Sequence, residues 1–296
     1  MNDTPIVILG IDCETDVGSF YYTYNGLVNG TPLLLEVFRE RGIEATFFFT
    51  GAAAREHPEV VRQVREAGHE VGCHSVYHET VGEAIFDVPG VMPLLPEEVD
   101  HRLEVATEWV AAAAGERPVS FRAPRLFGGT RMVNALERLG YLADASYPLY
   151  YYQQRLVPYH PSPDDWTQEG DMRILEIPNF ADLTIESKDP YGRDRDQWPL
   201  FRTEGADALL RHIDNFIGFV QARGLRPVLC FYFHPWEFVE QPPSMHIGEG
   251  TVIPDEFIIK NCGPFAVEQF CRLLDALVSR GCQFMSCRRL AEPWSG

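Results

Sequence analysis

The chain has 296 residues, of which 45% are hydrophobic and 23% charged, a balance that suits a globular protein and excludes a disordered one. Lys and Arg number 25 against 43 Asp and Glu, giving a formal net charge of −18. That balance counts against nucleic acid, whose phosphates need many basic side chains, and against an anionic membrane surface as the main partner.

In chain order, residues 5–11 (PIVILGI) predict a buried strand, because the run is continuously apolar and bounded by acids and Gly. Residues 33–41 have helical spacing, with Leu34, Val37 and Phe38 on one face and a stop at Gly42. Residues 45–49 (ATFFF) form a second buried strand. Pro58 opens a helix over 58–67 that closes at Gly68, and 69–72 form a third strand leading into HSVYH. A helix over 97–114, ended by Gly115 and Pro118, precedes a fourth strand at 119–121. A helix over 130–139 separates it from a fifth at 141–144, and residues 173–177 (RILEI) are a sixth. A long helix over 206–223, a seventh strand at 227–233, a helix over 264–280 and a last strand at 283–286 complete the series.

Strand–helix alternation with Gly after almost every helix argues for βα units and a parallel sheet. Seven or eight units with no break in composition predict one α/β domain over 1–296, a distorted (β/α) barrel of seven to eight parallel strands. The long irregular pieces, 12–31, 73–96, 146–172, 179–203 and 234–262, mostly follow strands, where a parallel barrel builds its active site. The N-terminal apolar run is short, ends at Asp12 and lacks a basic lead-in, and no stretch approaches the ~18 apolar residues of a membrane span. Seven cysteines, an odd number, suit free thiols in a reducing cytoplasm better than a disulfide framework. A cytoplasmic location is therefore expected.

Ionisable groups emerge from four strand ends: Asp12, Glu14 and Asp16 from the first, His74 and His78 from the third, Arg122 from the fourth, His234 and Glu237 from the seventh. His74 and His78 stand at i, i+4, so a helical turn would point both imidazoles one way. Two imidazoles and a carboxylate make a set suited to Zn or another divalent transition metal. Each group alone has a plainer reading. The two histidines would suit a helix surface, the acids a solvated loop, His234 a hydrogen-bonded core. It is their convergence at one face that points to chemistry. Tyr147, Tyr150, Tyr151, Tyr152 and Trp166 crowd one loop, either to shape a sugar cleft or to anchor the loop to the barrel. Arg193, Arg195 and Arg202 would either grip a phosphate or lie in a solvated charged loop.

Taken together, IDCETD, EATFFFTG, HSVYH, FRAP and FYFHPWE, in that order over about residues 5–290, resemble the polysaccharide deacetylase family (NodB homology, carbohydrate esterase family four). The IDCETD form looks closest to the branch that includes sugar-lipid deformylases, and HPWE resembles a branch found in O-antigen and exopolysaccharide loci. The resemblance implies a metal-dependent hydrolase that removes an N-acyl group, acetyl or formyl, from an amino sugar that is a small molecule or is lipid- or nucleotide-linked. It implies Asp12 as general base, His74 and His78 as metal ligands and His234 as general acid, with Zn the expected metal. Arg122 is expected to pair with Asp12 and hold it ionised. Many members have Asp directly after the base, where this chain has Cys13, so the acidic ligand falls to Glu14, with Asp16 a further candidate. Strand alternation turns Cys13 away from Asp12 and Glu14, into packing. Arg125 stands where the family usually has a Tyr whose backbone N–H helps hold the oxyanion, and Trp236 is a further candidate substrate contact. Glu237 would orient or charge His234, or begin a helix; the family's usual Asp-x-x-x-Trp-like fourth motif is not recognisable. An allantoinase-like amidohydrolase on a non-sugar amide, or a non-catalytic carbohydrate-binding protein on a degenerate scaffold, is the alternative. The charge balance favours a neutral sugar region beside the metal.

Overall fold

Strand β1 (Ile6–Cys13) is buried along its whole length, and its alternation sorts residues between two cores. Ile6 and Ile8 meet Phe48, Ala143, Leu175, Val228 and Cys230 on the inside. Val7, Leu9, Ile11 and Cys13 face outward into the layer shared with the helices. Cys13 is therefore packing, on the opposite face from Asp12 and Glu14. This fold is a computed structural model describing residues 4–88 and 90–294.

The remaining elements follow in βα order. Helix α1 (Thr31–Arg41), entered through a π-turn at Gly26–Gly30, ends at Gly42 in the left-handed region and leads to β2 (Thr46–Phe49). Two helices, α2 (Gly51–Glu56) and α3 (Pro58–Glu66), precede β3 (Glu70–Cys73). Then come α4 (Val99–Ala114), β4 (Ser120–Phe121), α5 (Thr130–Leu139) and β5 (Ala143–Asp144). The short α6 (Leu149–Tyr152), β6 (Leu175–Glu176), α7 (Leu200–Thr203), α8 (Ala206–Gln221) and β7 (Val228–Phe233) complete the circuit. A hairpin of β8 (Met245–Ile247) and β9 (Gly250–Val252), then α9 (Glu256–Ile259), α10 (Pro264–Ser279), β10 (Gln283–Phe284) and α11 (Cys287–Ala291), follow.

All strands of the main sheet are parallel, in the order β10-β1-β2-β3-β4-β5-β6, with β7 also paired to β1. Past β6 the chain reaches β7: Asn179 bridges Cys230, and the Phe180 N–H donates to the Cys230 carbonyl at 2.7 Å. The sheet thus curls round as the (β/α) barrel expected, distorted because β4, β5 and β6 are each two residues long. Beneath it, Cys287 and Leu290 of α11 join the inner core. There the buried Glu70 carboxylate accepts from Thr46, Ser120 and the Arg288 backbone N–H.

Several details depart from the sequence reading. HSVYH is an irregular turn rather than a helical one, with positive φ at Ser75 (62°) and His78 (64°). Helix α2, capped by Thr50 Oγ1 accepting from the Ala53 N–H at 3.2 Å, the β8–β9 hairpin and α11 were not anticipated. One glycine decides how the barrel fills. A Cβ at Gly10 would lie 2.0 Å from Arg122 Nη1, so only a residue without a side chain lets that guanidinium cross the barrel interior.

Candidate active site

The C-terminal strand ends open into a cavity of about 570 Å³, whose lining includes Asp12, Glu14, His74, His78, His234 and Trp236. Asp12 and Glu14 share a strand face with Gly10, above Arg122. Arg122 Nη1 donates to Asp12 Oδ1 at 3.0 Å, its Nε to the Ala145 carbonyl at 3.1 Å, and its guanidinium stacks 4.6 Å from the Phe48 ring. Burial pushes the Asp12 carboxyl up, but the Arg122 charge, with His74 and His234, outweighs it and holds Asp12 below the usual carboxylate range. Asp12 is an anion with Oδ1 engaged and Oδ2 left over.

Beside it, one ligand atom each from Glu14, His74 and His78 lies within 4.8 Å of the others. Glu14 Oε2 is 2.5 Å from His78 Nε2 and 3.9 Å from His74 Nε2. His74 Nδ1 donates to the Arg122 carbonyl at 2.7 Å, which fixes the tautomer that leaves Nε2 bare toward the set. Burial lowers His74 to about 4 and His78 well below its ordinary value, so both imidazoles are neutral, the form that ligates metal. Burial raises Glu14, and its Oε1 is a buried oxygen with no hydrogen-bond partner. A buried orphan carboxylate oxygen beside two neutral, aimed imidazoles is a donor set that fits a divalent transition metal.

On the opposite side, His234 Nδ1 lies 2.9 Å from Glu237 Oε1, which also accepts the His234 backbone N–H at 3.0 Å. Glu237 therefore both orients the imidazole and caps the short turn after β7, so both readings of it hold. Its other oxygen takes Arg202 Nε at 2.6 Å, with Arg202 and Glu237 both fully buried. Burial alone would lower His234. The Glu237 hydrogen bond and charge, with Glu14 and Asp12, reverse this and raise it. Its Nε2 sits 3.9 Å from Glu14 Oε1.

Residues 14–143 match the family model for polysaccharide deacetylase. A chitooligosaccharide deacetylase of Azorhizobium caulinodans is 32% identical over 111 residues, 37% of this chain and 48% of that one. Over residues 14–143, a little under half of its length, the chain is similar to the polysaccharide deacetylase family. It spans about half the length of the curated relatives it matches. Among solved structures, a candidate polysaccharide deacetylase from Mycobacterium smegmatis aligns with a TM-score of 0.66 at 17% identity, over 99% of this chain and 90% of that one. The Puue allantoinase aligns at 0.62 with 15% identity, over 99% and 93%. At such identities these two likenesses speak for the fold alone.

The other residues singled out in the sequence divide sharply. Asp16 is not brought into the Glu14–histidine set: Thr23 Oγ1 and the Asn25 and Gly26 N–H groups bond its carboxylate at 2.7–2.9 Å. It clamps its own loop, which lies against the turn after β7; a Cβ at Gly26 would meet the Trp236 backbone at 2.2 Å. Trp236 is buried and stacks on His234 with centroids 5.1 Å apart. Arg125 lines the cavity at φ 60°, its Nη1 donating to the His78 carbonyl at 2.9 Å. Positive φ at Ser75, His78, Arg125 and Leu126 concentrates backbone strain around this site. Tyr147 and Trp166 are core anchors of their loop, packed edge-on 5.7 Å apart, whereas Tyr150 reaches the cavity. Arg202 corrects the picture of a solvated charged loop, since its charge is spent on Glu237 and on three backbone carbonyls. Arg195 Nε bonds the Ile185 carbonyl. Sequence reasoning passed over Phe86 and Trp198, which also line the cavity. The Trp-Pro pair inside the charged 188–202 stretch was the available signal for the second.

Proposed function

We propose that this chain is a metal-dependent hydrolase that removes an N-acyl group, acetyl foremost and formyl also, from an amino sugar used in building a surface polysaccharide such as an O-antigen. The reading rests on one observation above all: an arginine-held Asp12 and a glutamate-held His234 flank a Glu14–His74–His78 donor set in a single cavity. The family match and the HPWE ending support the sugar substrate and the pathway. Seven free cysteines support a reducing, cytoplasmic setting. Pairing of β1 with both β7 and β10 supports reading residues 1–296 as one domain.

Glu14, His74 and His78 would hold the metal, Zn foremost. When bound it supplies Lewis acidity, polarising the acyl carbonyl and acidifying water. Asp12 takes the proton from the attacking water at Oδ2, because Oδ1 is bonded to Arg122 and the guanidinium keeps the carboxylate ionised beforehand. The Arg125 backbone N–H, which donates to no protein acceptor among the described residues, suits the developing oxyanion. As the carbon–nitrogen bond breaks, His234 gives its Nε2 proton to the departing amine, with Nδ1 tied to Glu237. Trp236, buried at the cavity wall, supports the His234 ring by stacking on it.

The test is direct. The purified protein should contain a divalent metal and release acetate or formate from N-acyl sugars, and chelation should stop the release. Release of product only from cyclic ureides, or from no amide with metal bound, would overturn the reading.

Two variants probe the supports. His234 works in its protonated form, so activity falls as pH rises through its raised pKa. Glu237→Gln removes the charge that raises it, and the alkaline limb of the kcat/KM profile is expected to move about one pH unit lower. An unmoved limb would show Glu237 to be a cap only. Gly10→Ala is expected to push Arg122 off Asp12 and lower kcat/KM about 100-fold with metal content unchanged, by metal analysis beside kinetics.

A further inference from the structure

The wall of the cavity across from the catalytic groups carries a charge that the mechanism does not use. Arg193 lies in a half-buried turn of three residues, Arg193–Arg195, and lines the cavity. Its guanidinium carbon sits 5.0 Å from the Phe86 ring centroid, 5.9 Å from Tyr150 and 6.0 Å from Trp198. Three aromatic faces fix the group in place without consuming a single N–H. Among the described residues no carboxylate forms a salt bridge with it and no acceptor takes a bond from its side chain, although the charges of Asp196 and Asp189 are near enough to favour its cationic form.

Those acids are committed elsewhere. Asp189 accepts the Tyr191 and Arg193 backbone N–H groups, Asp194 accepts Ser187 Oγ and the Lys188 N–H, and Asp196 accepts the Tyr232 hydroxyl and the Gln197 N–H. Asp87 and Asp255 remain exposed at the rim. Trp198 adds a second observation: its indole N–H is buried in this wall with no acceptor. The Arg193 guanidinium and the Trp198 indole thus stand together with donors that no protein acceptor takes, in a chain that is acidic overall. A guanidinium's five donors in a planar fork match an oxyanion bidentately. The place is also close to the chemistry, since the Trp198 ring stands between Arg193 and the His234 ring, its centroid 6.1 Å from the latter.

We propose that Arg193 is a specificity residue that binds an anionic group, a phosphate or a carboxylate, carried by the N-acyl sugar one ring away from the amide to be cleaved. The inference rests on the sugar-amidase reading and narrows its substrate class to acidic sugars. A neutral ring then occupies the acidic, metal-proximal half of the cavity, and the anion meets Arg193 on the far wall, whose side-chain donors take no acceptor among the described residues.

The experiment measures binding to the full chain by calorimetry for three probes: N-acetylglucosamine, N-acetylglucosamine 1-phosphate and N-acetylmuramic acid. The wild type should bind at least one anionic sugar about tenfold or more tightly than the neutral one, and which of the two it is separates phosphate from carboxylate. Arg193→Gln should abolish that preference, and Arg193→Lys should keep part of it. An anionic preference absent from the wild type, or unchanged in Arg193→Gln, overturns the proposal. Because binding is read apart from turnover, a preference lost in Arg193→Gln together with no acyl release from any sugar would sustain this inference while defeating the hydrolase reading.

Discussion

Asp12→Asn is expected to lower kcat about 1000-fold while metal content stays the same. The substitution keeps an oxygen that can accept from Arg122 Nη1, now at 3.0 Å, so the guanidinium retains a partner inside the barrel. What disappears is the anionic Oδ2 that would receive the water's proton. Asp12→Ala is a different experiment, because it takes away the acceptor as well as the charge and leaves the buried guanidinium with neither, and removing one partner of such a pair costs about 3–5 kcal/mol of stability. The comparison separates chemistry from folding: an Asn variant with a wild-type melting temperature and near-wild-type kcat would remove Asp12 from the base role.

His74→Ala is expected to weaken metal binding by at least about 100-fold and to take activity to background. Losing even an outer partner of a ligand commonly costs 10–100-fold, and here the ligand itself goes. The effect reaches beyond one nitrogen. His74 is tied to the Arg122 carbonyl, so the residue that would hold the metal and the residue that pairs with the proposed base are joined by one backbone-to-ring hydrogen bond. Metal analysis with acyl-release kinetics checks this, and a variant that keeps both metal and turnover would move the centre elsewhere.

Much of this was legible in the sequence because the signals were local. Apolar runs bounded by Gly gave the strands; α5, for example, spans Thr130–Leu139 as its spacing predicts, with Gly140 in the left-handed region after it. Strand alternation alone turned Cys13 outward and Asp12 and Glu14 inward. What stayed hidden depends on residues far apart in the chain. Nothing in HSVYH signals that positive φ at Ser75 and His78, rather than a helical turn, converges the two imidazoles. Asp16 looked as available as Glu14 until the loop folded back to saturate it. Arg202 sits in a charged stretch that reads as solvated, and only the turn after β7 shows that its charge is spent on Glu237. The partner of His234 was nearer to hand, because Glu237 stands three residues downstream, where the sequence already offered it.

Strand β1 carries Asp12 and leads directly into Glu14, yet its neighbours come from opposite ends of the chain: β2 along its second half, β7 along the other edge, β10 beside its start. Strand β1 is thus flanked in full only after β10, far along the chain, has been made. Long-range parallel pairing of this kind is slow to form and leaves unpaired strand edges exposed meanwhile. Production of this protein should therefore depend more on the time and protection given to the nascent chain than on the strength of any one contact, and C-terminal shortening that removes β10 would strike at a site more than two hundred residues upstream.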